Sequence, residues 1–150
     1  MIPRRSALGL LAAAPLVLQA GMARASHPPV FASNGIAING TDPVAYFDQG
    51  QPVAGQAAHA VDWNGARWQF ASAGNRDRFA ADPVAFAPAY GGYCAWAASQ
   101  GYVADTVPEA WTIHAGRLFL NASQRIRRRW ERDIPGHVAR ADANWPGILA

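Results

Sequence analysis

One cysteine, Cys94, in a chain of 150 residues forbids any intrachain disulfide. A fold of this size must then be held by packed side chains alone, and six tryptophans, six phenylalanines and four tyrosines supply the large apolar bodies for it. Most of the tryptophans fall at inward positions of hairpins or helices and read as core; a minority are left to line a pocket or an interface.

The first 25 residues read as an address. Met1-Ile2-Pro3-Arg4-Arg5 is a basic start, Ala7 to Ala20 is mostly apolar, and Ala23-Arg24-Ala25 has the small-x-small form cut by signal peptidases. Cleavage is expected after Ala25. The paired arginines resemble a twin-arginine signal, with the general secretory route as the alternative. The apolar stretch falls short of the roughly 20 residues that span a bilayer, so no stable membrane anchor is expected after cleavage. The expected location is periplasmic or secreted, as a monomer.

Charge follows from the same reading. The chain has 13 Lys+Arg and 10 Asp+Glu. Loss of Arg4, Arg5 and Arg24 leaves ten basic residues against ten acidic. Residues 26–150 are then neutral, and the high isoelectric point gives no ground for a nucleic-acid partner. The one basic cluster, Arg125, Arg127, Arg128, Arg129 and Arg132, is interleaved with Glu131 and Asp133 and reads as a solvated helix face.

Residues 26–150 read as a single domain. Gly35 to Ile38 is a short strand ending at Asn39-Gly40. Thr41 or Asp42 caps a helix with Pro43 at its first position and Gly50 at its end. Ala58–Trp63 and Ala66–Phe70 flank Asn64-Gly65, the strongest short-range hairpin signal a sequence offers. Ser72 starts a helix with Phe79 turned inward, closed by Asp82-Pro83. A short helix over 84–86 follows, then one over 93–100 stopped by Gly101. Trp111–His114 and Arg117–Leu120 form a second hairpin about Ala115-Gly116. Asn121 or Ser123 caps a helix through Arg132, Pro135-Gly136 breaks it, and a last helix runs from His137 to Asn144. Small antiparallel hairpins with short helices and no βαβ rhythm predict an α+β domain with C-terminal helices.

Four segments carry a family resemblance: Thr41 to Phe47, Asn64 to Ser72, Asn75 to Pro83, and Tyr90-Gly91-Gly92-Tyr93-Cys94-Ala95-Trp96. They resemble the YHS domain family, and within it the small exported YHS-domain proteins, some of which are described as selenoproteins. The likeness runs from about Asn34 to Pro146. It implies a YHS/TRASH-like core, degenerate and treble-clef-like, and a link to metal handling through cysteine ligands. The positions matching those ligands are Ala45, Ala71 and Asn75, which offer no sulfur or imidazole, so the family's metal site is dismantled. In the selenoprotein relatives, the resemblance places selenium at the position of Cys94.

Cys94 keeps several readings open. At the first turn of a helix its thiolate is stabilised by free N–H groups, which gives a reactive thiol. With His114 and His59 it gives a mixed nitrogen and sulfur site for a soft or borderline metal ion. With His114 alone it gives a nucleophile pair. Among Tyr90, Tyr93 and Trp96 it is a small inert core residue. His27 and His137 lie near no recognisable site. Gly-x-Ser-x-Gly, His-Glu-x-x-His and phosphate-binding glycine loops are missing, and one cysteine excludes an intramolecular dithiol cycle. The expected role is accessory binding or sensing of a metal or small ligand. Thiol-dependent redox chemistry at Cys94 is the alternative, and a non-catalytic structural or interaction module is a second.

Overall fold

The computed structural model describes residues 14–16 and 26–150. The expected signal segment, 1–25, therefore lies outside the described residues apart from 14–16. Among the described residues no helix is long and apolar enough to cross a membrane.

The order of elements is β1 (Ala32–Ser33), β2 (Ile36–Ala37), α1 (Pro43–Gln49), β3 (Gln56–Trp63), β4 (Ala66–Phe70), α2 (Ala73–Ala81), α3 (Pro83–Phe86), α4 (Ala95–Gln100), β5 (Trp111–His114), β6 (Arg117–Leu120), α5 (Gln124–Glu131) and α6 (Ile134–Asn144). The class is mixed α+β, with a four-stranded sheet in the order β1-β2-β4-β3 and a separate hairpin β5-β6. Asn64 and Gly65 take positive φ, 51° and 81°, as a two-residue hairpin turn requires. Asp62 then faces Arg67 across the strands and pairs with it at 2.9 Å.

Two local expectations change. β2 pairs with β4 in parallel, through Ile36 opposite Arg67 and the Arg67 amide donating to the Gly35 carbonyl at 2.8 Å. One such bridge needs no βαβ unit, so the hydrophobic rhythm gave no sign of it. Pro135-Gly136 also breaks nothing. Both sit in the first turn of α6, where a missing N–H costs nothing, and the Asp133 carboxylate accepts from the Gly136 amide at 3.1 Å.

The main core gathers Val30, Ile38, Tyr46, Trp68, Phe70 and Phe79 beneath the larger sheet. Phe79 is its hub, with ring centroids 5.1 Å from Trp68, 5.1 Å from Phe70 and 5.7 Å from Trp63. A second cluster, containing Tyr90, Ala95, Ala98, Phe119 and Trp130, fills the space between β6 and the C-terminal helices. Of the six tryptophans only Trp68 and Trp130 are fully buried.

Gly91 and Gly92 join the two clusters. The Gly91 carbonyl accepts from the Phe31 amide at 2.9 Å, and the Gly92 carbonyl accepts from the Thr106 hydroxyl at 2.7 Å. A Cβ on Gly91 would overlap the Pro29 carbonyl oxygen, and its φ is +63°. Gly91→Ala should therefore cost about 3 kcal/mol or more, from clash added to left-handed strain. Gly116→Ala, at φ +75° with open space around it, should cost only the strain, about 1–2 kcal/mol. Urea unfolding midpoints of the two variants test this contrast.

Candidate functional site

Cys94 is 1% exposed. It lies at the N-cap of α4 and not in its first turn, because its amide donates to the Ala104 carbonyl at 3.0 Å and holds the backbone extended there. The thiol donates to Asn121 Oδ1 at 3.4 Å, and the same oxygen accepts from the Trp96 amide at 3.0 Å. Asn121 Nδ2, also buried, has no partner among the described residues. Burial pushes the Cys94 thiol up from its ordinary pKa, against the smaller opposing pull of the Ala97, Ala122 and Trp96 amides. The helix-terminus effect anticipated from the sequence is thus present and outweighed by desolvation.

The histidines are elsewhere. His114 is exposed at the end of β5, and His59 is half-buried on β3 with an unpartnered Nδ1. Among the described residues no three His, Cys, Asp or Glu side chains form a group that could hold a metal ion, so Cys94, His59 and His114 are not assembled into one.

Asp42 is the site residue that sequence reasoning undervalued. Read there as a cap, it is fully buried. Its Oδ1 accepts from the Val44 and Ala45 amides at 2.9 and 3.2 Å. Its Oδ2 accepts from the Ala71 amide at 2.8 Å and from Asn75 Nδ2 at 2.9 Å. Positions 45, 71 and 75, marked by the resemblance as vacated ligand positions, thus converge on one carboxylate. A carboxylate has about four lone-pair directions and all are taken by N–H groups, so none is left for a cation. The arrangement is a clamp on α1, the end of β4 and α2.

An aromatic cleft of about 460 Å³ opens between the two clusters. Trp63 from the end of β3 and Trp145 from the end of α6 line it, with Trp68, Tyr90 and Leu118 on its walls and Arg117 at its polar corner. Both Asp142 oxygens accept from the Arg117 guanidinium, at 3.0 and 3.1 Å, and Asp142 Oδ1 also accepts from the Tyr90 hydroxyl at 2.9 Å. The guanidinium lies 5.8 Å above the Tyr90 ring and 5.1 Å above that of Phe119. The Arg117 hydrogen bonds hold the Asp142 carboxyl below its ordinary pKa, while burial raises that of Tyr90. At this corner the Arg117 charge is compensated by Asp142. Nothing in the spacing of Arg117 and Asp142, 25 residues apart, signals this pairing.

Comparison with protein-family models, curated proteins and solved structures finds no match.

Asp42→Asn replaces two of the four acceptor directions with donors aimed at N–H groups. It should destabilise the fold by about 2–4 kcal/mol, read from urea midpoints. Cys94 should resist iodoacetamide at pH 8 until the chain unfolds. Because its folded pKa is raised, its contribution is fully present below the unfolded value near 8.5 and is lost as pH rises through the folded one. The urea midpoint should fall as pH rises past about 8.5 in wild type and fall less in Cys94→Ala, which lacks the titrating group.

Proposed function

We propose that this chain is an exported, non-catalytic binding protein of the YHS type, whose ligand is a small, flat, uncharged apolar molecule held between Trp63 and Trp145. The observation that carries the reading is the cleft itself: aromatic walls, a volume of about 460 Å³, and an arginine already neutralised by Asp142. That volume lies within the usual range for small-molecule sites. An anionic ligand would have to compete with Asp142 for the guanidinium, whereas a neutral ring loses little by leaving water.

The YHS reading is supported by four motifs occurring in order along the chain. It is supported also by the meeting of Ala45, Ala71 and Asn75 around Asp42, as expected if one ancestral ligand cluster had been replaced by a hydrogen-bonded carboxylate. Export rests on the basic, apolar and small-x-small pattern of residues 1–25. Ligand binding is favoured over thiol redox chemistry because the Cys94 sulfur is buried and its thiolate is disfavoured.

Titration with an uncharged naphthalene ketone fluorophore, followed by energy transfer from tryptophan, tests the reading. Saturable binding is expected, with a sulfonated analogue binding more weakly. Val84 lines the cleft and is 79% exposed, so Val84→Glu should leave the fold intact. It should weaken binding of the neutral probe about tenfold, by setting a charge at the rim. Equal affinity of wild type and Val84→Glu would remove the cleft as the site.

A further inference from the structure

The described arginines divide into two groups. Arg67, Arg76, Arg78, Arg117 and Arg127 each form an ion pair with a carboxylate. Arg140 donates to His137 Nδ1 at 3.0 Å. Arg125, Arg128, Arg129 and Arg132 are exposed, and among the described residues none of the four has a carboxylate partner. Their spacing is i, i+3, i+4, i+7, which places them on one face of α5 and its C-cap. Of the two acidic residues that the sequence suggested would dilute this cluster, Glu131 is taken by Arg127 on another face at 2.6 Å, and Asp133 caps α6, accepting from the Gly136 amide at 3.1 Å. Like charges at i, i+4 destabilise a helix, so the stripe works against the stability of its own element.

Aromatic side chains border the stripe. Arg129 lies 5.3 Å above the Trp96 ring, and Tyr102, 48% exposed, packs edge-on against Trp96 at 6.3 Å. Guanidinium groups bind phosphate bidentately, and tryptophan and tyrosine are the residues that settle at a membrane–water boundary, with one end apolar and the other wet. Single-stranded nucleic acid needs open aromatic faces for stacking, and Arg129 occupies one face of Trp96.

We propose that the face formed by Arg125, Arg128, Arg129 and Arg132, with Trp96 and Tyr102 at its edge, docks peripherally and reversibly on an anionic phospholipid surface. The contact is electrostatic, so it weakens with salt, and it presents the rest of the domain to solvent without inserting a segment. It is independent of the aromatic cleft.

Vesicle co-sedimentation of the full chain tests it, with phosphatidylcholine alone or with phosphatidylglycerol added, for wild type and for a variant with all four arginines changed to glutamine. Residues 1–25 are common to both, so the difference between them reports the stripe. Partitioning onto anionic vesicles should fall by more than about a hundredfold in the variant, at about fivefold per arginine. A variant with the four arginines changed to lysine should retain most of it, because the surface potential acts on charge. Arg125→Gln with Arg132→Gln provides the same comparison, with a loss of about 25-fold, should four changes disturb folding. Equal partitioning of wild type and the glutamine variants would overturn the proposal. So would tighter binding of an oligonucleotide or a polyglutamate peptide than of the anionic vesicles.

Discussion

A buried carboxylate with four donors holds the N-terminal half of this molecule together. Asp42 caps α1 through one oxygen and gathers the end of β4 and the start of α2 through the other. A carboxylate at zero exposure without donors would be costly enough to unfold a small domain, so the three elements that supply the donors must meet around it. That meeting fixes the start of α2 beside the end of β4, and Phe79 of the same helix packs against both Trp68 and Phe70. The apolar core is built on a polar joint.

The second joint is made of backbone. Gly91 and Gly92 leave no room for a side chain, since a Cβ would overlap Pro29 at the first and Ile38 at the second, and the lead-in segment, the loop at Thr106 and the end of α6 all cross them closely. Trp145 packs on Tyr90 and Tyr93 there, while Ser26 and the His27 amide donate to the Leu149 carbonyl. The two ends of the described domain are thereby strapped together beside the aromatic cleft. Trp63 and Trp145 line the cleft from the ends of β3 and α6, and the Arg117–Asp142 pair sits at its polar corner.

Much of the local structure was legible. Asn64-Gly65 specified a hairpin, Ser72 and Ser123 capped their helices through the Asn75 and Ile126 amides, and Gly50 and Gly101 stopped theirs in left-handed conformations. The candidate site was legible only in part. Cys94 stood out by its rarity, yet its reactivity depended on solvent access that a sequence does not contain. Most of the tryptophans were read as core by alternation, with no means of saying which would line a pocket, and half-buried Trp63 and Trp145 are two that do. Asp42 carried the signal of a cap and nothing of its second oxygen's partners.

What the sequence determined by itself is what acts over a few residues: turn chemistry, capping, the placement of glycine and proline, and the alternation that turns Trp68 and Phe70 inward. These depend on backbone sterics and on hydrogen bonds to near neighbours, which residue identity alone decides. Tertiary structure decided the rest, namely the pairing of Arg117 with Asp142, the parallel bridge of β2 to β4, and the burial that raises the Cys94 thiol pKa. Each of those turns on desolvation and on partners 25 or more residues away, and the free energy of a charge or a thiol is set by that surrounding shell and not by its place in the chain.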